Sequence, residues 1–324
     1  MVSLYVIDGL LKRVIMIRKL REAKWLRELR VRDRKVKILL NPKDRGLSLE
    51  LALWGFREPL SGRLFIENLR SDDIVLDIGS NIGYYAIQEA VVVERGLVYA
   101  FEPVEENRVF LHKNIRINDL NNVIVYDYAI SSSSGFLNMC VSREKNTSHI
   151  ILLAEDLRDC ERVEKVKALS LKELTKVLNE RPSVLRMDIE GFEHTLLRDI
   201  NIKPLIRDLR LLYVEIHPAK GLSSSIKRLL DSGFDRCFAI PRVVDDPYWR
   251  SILKNTSLRK ILFRIFDLEA SLRKNISIEY RKYRYLREAM RDPLKRISLR
   301  DILRYAEVLE RIGSPATFSV VCDK

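Results

Sequence analysis

The sequence predicts an α/β protein built on a doubly wound, mostly parallel sheet. Two observations predict it. From residue 71 to about 240, short β-branched runs alternate with amphipathic segments, the pattern of strand-to-helix crossovers covering both faces of a sheet. The chain also has 324 residues, 47% of them hydrophobic, enough to bury a core of that size.

Each element follows in order. Residues 8–35 are rich in Leu, Arg, Lys and Glu and lack Pro or Gly after Gly9, which predicts one or two basic helices. "KVKILLNPKDRGLS" reads as a short strand stopped by a turn at Asn41-Pro42, and "SLELALWGFREPLSGRLFIENL" as helix in two pieces, split near Gly55 to Pro59. Strands are expected at 74–78, 97–102, 122–130, 183–189, 210–217 and 236–240, and helices at 83–93, 105–117, 191–199 and 222–232. The stretch 135–182 reads as a hairpin or loop followed by the helix "LSLKELTKVLNE". Residues 245–312 are helical in pattern and basic, and "PATFSVVCDK" closes the chain as a strand. If that strand pairs antiparallel with the sheet, the basic helices before it are an insertion. The organisation expected is a basic helical extension and cap at 1–70, a core at 71–240, a basic helical insertion at 241–314 and a closing strand at 315–324.

The net charge of +13 is concentrated at the two ends. Residues 1–40 carry 12 Lys/Arg against 4 Asp/Glu, residues 41–240 carry 27 against 30, and residues 241–324 carry 19 against 11. Basic flanks suit solvated helix faces or a rim that attracts an anionic substrate, nucleic acid or membrane surface. No run of about 18 uncharged apolar residues occurs, and the first 20 residues lack a small-residue cleavage site. A cytoplasmic protein without a transmembrane segment, able to touch a membrane peripherally, is the expectation. Four widely spaced cysteines without a C-x-x-C pair argue against a zinc ribbon or a disulfide framework and are read as thiols.

The chemistry starts at "VLDIGSNIGYYA", residues 75–86. A dinucleotide fingerprint needs G-x-G-x-x-G. Counted from Gly79, its second and third glycines are replaced by Asn81 and Tyr84. A P-loop fails too, because no Lys follows Gly83. What remains is an acid at a strand end, D-x-G-x-x-x-G, and a second acid, Glu102, at the end of the next strand. That suits S-adenosylmethionine: Gly79 and Gly83 let the backbone approach, and Glu102 accepts from both ribose hydroxyls.

"DIVLDIGSNIGYYAIQEA", "GLVYAFEPVEENRVFLHKNIRIN", "NVIVYDYAIS" and "LRMDIEGFEHTLLRD", in that order and spacing, resemble the FkbM family of S-adenosylmethionine-dependent methyltransferases over residues 71–217. The resemblance implies the class I methyltransferase (Rossmann-like) sheet of seven strands, six parallel and a reversed seventh between the fifth and sixth, for which "TFSVVCDK" is the candidate. It also implies that Asp77, Gly79, Asn81 and Gly83, with Ser80 among them, form the cofactor loop. Glu102 is then the ribose acid, Ala129 and Ser131 lie by the adenine, and Asp188, Glu190, Gly191 and Glu193 match the D-x-E-G-x-E signature. The sequence departs from the family at Arg186, usually Lys, which keeps the charge but changes its geometry, and at Lys172, usually an acid.

Methyl transfer to an alcohol needs positioning and a base. Strands ending at Asp188 and Glu215 are expected as neighbours, which brings Asp188, Glu190, Glu193, Glu215 and His217 to one cleft. His217 is the first choice for the base, with Asp188 and Glu190 orienting it, holding the acceptor or taking its role. The plainer readings are a capping histidine before Pro218 and carboxylates capping the helix near Gly191. Such a cluster also suits a divalent cation, but structural clusters are commoner and no metal is assigned. The function expected is O-methylation of a small-molecule, glycan or lipid-linked acceptor. A nucleic-acid methyltransferase using the basic flanks, and a non-catalytic binding module, are the alternatives. Against the first of these, "MDIEG" stands where base-modifying enzymes carry an N-P-P-Y-like motif.

Overall fold

A computed structural model of the chain describes residues 23–144, 147–151, 157, 160–199, 201–217, 222–231, 233–234, 236–241 and 317–324. The helices expected before residue 23 and the basic insertion expected after Pro241 lie outside the described residues.

The first described element is a hairpin, not the helix expected through residue 35. β1 (Leu26–Val31) and β2 (Arg34–Leu39) pair antiparallel, with Val31 opposite Arg34. The period decides it: Leu29, Val31, Val36 and Ile38 fall on one face and are buried, while the charged residues between them stay exposed or partly so. Arg32 makes the tight turn with φ 55°. α1 (Leu47–Trp54) and α2 (Ser61–Asn68) follow, and the first stops at Gly55, whose left-handed backbone returns its N–H to the Leu51 carbonyl.

Crossover units then run β3 (Ile74–Ile78), α3 (Tyr84–Val92), β4 (Leu97–Phe101), α4 (Glu105–Ile117) and β5 (Val123–Tyr126). The run 122–130, expected as one strand, is two. The chain leaves the main sheet after Tyr126, and β6 (Tyr128–Ser131) begins a second sheet with β7 (Gly135–Ser142), β8 (His149–Ile150) and the long β9 (Cys160–Ser170), in the order β6-β9-β7-β8. After α5 (Leu171–Val177) the main sheet resumes with β10 (Val184–Met187). Two short helices come next, α6 (Glu193–Arg198) and α7 (Ile202–Asp208). The last elements are β11 (Leu211–Ile216), α8 (Leu222–Asp231), β12 (Arg236–Pro241) and β13 (Phe318–Asp323).

The main sheet has seven strands in the order β12-β13-β11-β10-β3-β4-β5. The pairs among β11, β10, β3, β4 and β5 are parallel, and β13 runs antiparallel to both β11 and β12. The closing strand is thus the reversed one, inserted between the fifth and sixth strands of the crossover series, which is the class I methyltransferase order.

Alternation along the strands divides the core in two. Leu76, Ile78, Tyr99, Phe101, Leu185 and Leu212 face the second sheet and α5 to α7. Val75, Val98, Ala100, Val184 and Leu211 face the β1–β2 hairpin, α1, α2 and α3. On this second face the alternation also places Asp77, Arg186 and Glu215 near the carboxyl ends of β3, β10 and β11, and all three are buried. A buried charge without a partner is costly, so this stripe marks where the sheet serves something other than packing.

The cysteines overturn their expected reading. Cys140 is bonded to Cys160 and Cys237 to Cys322, leaving no free thiol. Their separation in sequence misleads because antiparallel pairing erases it: Cys237 on β12 stands directly opposite Cys322 on β13.

Candidate active site at the carboxyl ends of the strands

A cleft of about 780 Å³, counting its open mouth, lies over the carboxyl ends of β3, β4 and β10. One end is built by the loop after β3. The Gly79 and Ser80 N–H groups both donate to the Phe101 carbonyl, at 2.9 and 3.0 Å, which ties the loop to β4. Gly79 has φ 88° and packs so closely on the next strand that a Cβ there would run into the Asp188 carbonyl. Asn81 also takes a left-handed backbone, φ 52°. Its side-chain oxygen accepts from Ile82 N at 2.7 Å and its own N–H donates to Glu102 Oε2 at 2.9 Å.

Of the residues expected at the cofactor, Gly79, Ser80, Asn81, Glu102 and Ala129 line the cleft. Asp77 and Gly83 stand behind the wall. Asp77 is fully buried and accepts from Arg186 Nη1 at 2.9 Å, while Gly83 starts α3 and packs toward Leu111.

Glu102 is only 4% exposed. Burial pushes its carboxyl up to about 7, against the pull of hydrogen bonds from Val104 N (2.9 Å), Asn81 N and Asn107 Nδ2 (3.3 Å). Asn107 was not foreseen. Its side-chain oxygen is buried beside Glu102 with no partner, on the wall of the cleft. An asparagine held inside the first turn of a helix, five residues after the acid, is the signal that would have found it.

S-adenosylmethionine has two ribose hydroxyls that need acceptors, and Glu102 with the open Asn107 oxygen could supply them. Ala129, Ile130, Met139 and Ile150 make the neighbouring wall apolar, as an adenine requires. The residues present fit the cofactor.

The other end of the cleft is charged. Arg186 bridges Asp77 and Asp188, at 2.9 and 3.0 Å, and lies 4.0 Å over the Tyr85 ring. Burial opposes its charge, but Asp77 and Asp188 outweigh that and hold its pKa well above the ordinary value. Burial pushes the Asp188 carboxyl up to about 6, with Arg186 pulling the other way. Asp188 Oδ1 is buried without a partner.

Glu190 Oε2 lies 3.1 Å from His217 Nε2, and Glu193 Oε1 lies 3.0 Å from His217 Nδ1. Glu193 is itself locked, accepting from Ile189 N at 2.9 Å and Gly191 N at 2.8 Å. Burial opposes a charge on His217, but the two carboxylates raise its pKa well above the imidazole value. Both ring nitrogens are engaged and His217 is not among the residues lining the cleft, whereas Asp188 and Glu190 are. The geometry therefore favours an imidazolium beside carboxylates over the free base expected. His194 was also missed: its Nε2 is 2.6 Å from the His217 carbonyl and its Nδ1 2.9 Å from Ser225 Oγ, which fixes the chain where β11 ends.

Arg57 lines the same end. Its Nε donates to Glu58 at 2.7 Å and its Nη1 to Glu50 at 2.9 Å. Glu58 in turn accepts from the Tyr85 and Tyr213 hydroxyls. Arg57-Glu58 is thus a structural ion pair with one member at the cleft.

A family model described as the Methyltransferase FkbM domain matches residues 77–255. The chain is 29% identical over 157 residues to the hexuronic acid methyltransferase AglP of Haloferax volcanii, covering 48% of this chain and 60% of that protein's length. It is 28% identical over 201 residues to the methyltransferase sdnD of Sordaria araneosa, covering 52% of this chain and 76% of that one. Among solved structures, TYW2 of M. jannaschii in complex with AdoMet superposes with a TM-score of 0.35 at 17% identity, covering 67% of this chain and 78% of that one.

Proposed function

The chain belongs to the FkbM methyltransferase domain family, and from that premise we propose that it transfers a methyl group from S-adenosylmethionine to a hydroxyl of a sugar-like acceptor. One observation carries the reading: the ends of β3, β4 and β10 bring the Gly79–Asn81 loop, Glu102 and the Asp188–Glu190 pair to a single cleft.

The donor supplies a methyl group on a cationic sulfur that leaves as a neutral thioether. Glu102 and Asn107 hold its ribose, the backbone from Gly79 to Asn81 holds its amino-acid end, and Ala129 and Met139 hold its base. Asp188 and Glu190 face the acceptor. The proton that the acceptor oxygen gives up as it bonds to carbon goes to this carboxylate pair, with Asp188 Oδ1 as the open acceptor. His217 neutralises Glu190 and Glu193 from behind, and Arg186 does the same for Asp77 and Asp188. A glycan class of acceptor is supported by the name of the Haloferax relative.

Incubating the full chain with labelled S-adenosylmethionine and a fractionated host extract tests this. Label in carbohydrate or glycolipid fractions is expected, removed in Asp188→Asn. Label confined to RNA would overturn the acceptor, and failure to bind S-adenosylhomocysteine by calorimetry would overturn the enzyme.

A further inference from the structure

We propose that Asp188, Glu190 and His217 together hold a divalent cation on the wall of the cleft. One ligand atom from each lies within 4.8 Å of the other two, close enough for one small ion to be shared among them.

Three further observations point the same way. Asp188 Oδ2 is taken by Arg186, while Oδ1 is shielded from solvent and has no hydrogen-bond partner. An anionic oxygen left open in a buried place asks for a positive ligand.

His217 is held as a metal-bound imidazole is held. Its Nδ1 rests on Glu193, a fully buried carboxylate fixed by two backbone N–H groups, and this leaves Nε2 turned toward Glu190. A carboxylate behind a ligating histidine sets the ring's orientation and tautomer. Glu193 is thus a positioning residue, not a ligand.

The third observation is charge. Asp77, Asp188, Glu190 and Glu193 pair directly with two cations among the described residues, Arg186 and His217, while Arg57, also near Asp188, is already shared with Glu50 and Glu58. A divalent ion offsets the excess, and it can displace the proton from His217 Nε2 while keeping the one on Nδ1. Two carboxylates and one imidazole form a mostly oxygen set that suits Mg²⁺ or Mn²⁺ as well as Zn²⁺. An ion here would make a hydroxyl bound to it more acidic, and the carboxylates would then serve as ligands first. That catalytic role rests on the methyl-transfer reading; binding of the ion does not.

The test is an electron paramagnetic resonance titration of the chelator-treated full chain with Mn²⁺ alone. One bound Mn²⁺ is expected, at least tenfold weaker in Glu190→Gln and His217→Ala, severalfold weaker in Glu193→Gln, and unchanged in the surface variant Asp208→Asn. Circular dichroism checks each fold, and if His217→Ala is unfolded, Glu190→Gln decides. No saturable binding by millimolar Mn²⁺, or equal binding in the native chain and Glu190→Gln, would overturn the proposal. Calorimetry with S-adenosylhomocysteine separates the two readings. If it binds while Mn²⁺ does not, only the cation inference is lost; if Mn²⁺ binds alone, only the transferase reading is lost.

Discussion

Arg186 on β10 and Asp77 on β3 stand opposite one another in the parallel register and close a buried ion pair of 2.9 Å. The same guanidinium reaches Asp188 at 3.0 Å, so one side chain anchors both the strand beneath the Gly79–Asn81 loop and a carboxylate on the cleft wall. A lysine delivers one point of charge where arginine spreads a planar fork, and only the fork bridges both acids from its place 4.0 Å over the Tyr85 ring. Replacing Arg186 with Met strands two buried carboxylates, which typically costs about 3–5 kcal/mol. Arg186→Lys is expected to lose less, because it keeps the charge. Denaturant unfolding of both variants measures this, and an Arg186→Met loss below about 1 kcal/mol would show that the pair is not a keystone.

Glu102 is expected to make cofactor affinity depend on pH. Its folded pKa of about 7 is raised by burial above the ordinary value of 4.5. Ionising it therefore opposes folding: its stabilising contribution is complete below 4.5 and is lost as pH rises through 7. Ligand binding has the opposite sign, because only the carboxylate offers acceptors alone to two hydroxyls. Calorimetry with S-adenosylhomocysteine is expected to show affinity rising about tenfold from pH 6 to pH 8. Glu102→Gln should bind more weakly and with a flat profile; a sloping profile in that variant would assign the titration to another group.

Gly79 carries two constraints at once. Its φ of 88° disfavours any side chain, and its close packing on Asp188 leaves no room for one. Gly79→Ala is expected to cost on the order of 1–3 kcal/mol from backbone strain alone. It should also push the Asp188 carbonyl away and thereby disturb both ends of the cleft. Thermal midpoint and S-adenosylhomocysteine affinity should fall together. Unchanged ligand affinity would mean that the loop and β10 move independently.

What was legible in the sequence was whatever depends on period and strand order. "IVLDI" and "LVYAFE" are near-continuous apolar runs, as strands buried on both faces require, and carry Asp77 behind the cleft wall and Glu102 on it, and "TFSVVCDK" found its place because the family resemblance implies a reversed strand between the fifth and sixth. The second strand of the hairpin agrees with the strand expected in "KVKILL", but the first, Leu26–Val31, departs from the helix expected because its arginines favour helix by propensity, while the alternation of Leu29 and Val31 with charged neighbours fixes it as strand. Asp127 divides a continuous β-branched run between two sheets, and no local signal separates that from one long strand. Strand order also predicted that Glu190, Glu193 and His217 come together, as they do, but which ring nitrogen each carboxylate takes depends on side-chain geometry after β10 that no sequence pattern carries.

The cysteine pairs give the last prediction. Cys237–Cys322 closes 85 residues of chain and Cys140–Cys160 closes 20, so restriction of the unfolded chain stabilises by about 4.5 and about 3 kcal/mol respectively. Alkylating the denatured, unreduced protein should modify no cysteine, and Cys322→Ser should lower stability more than Cys160→Ser. The shorter bridge has a second consequence. Cys140 adjoins Met139 on β7, and Met139 lines the apolar end of the cleft. Cys160→Ser should therefore weaken S-adenosylhomocysteine binding severalfold, whereas Cys322→Ser, in the strands at the opposite edge of the main sheet, should leave it unchanged. Disulfides last in oxidising surroundings, so a cytoplasmic location requires that both pairs survive there. Four alkylated thiols in the unreduced protein would restore the reading of four separate cysteines.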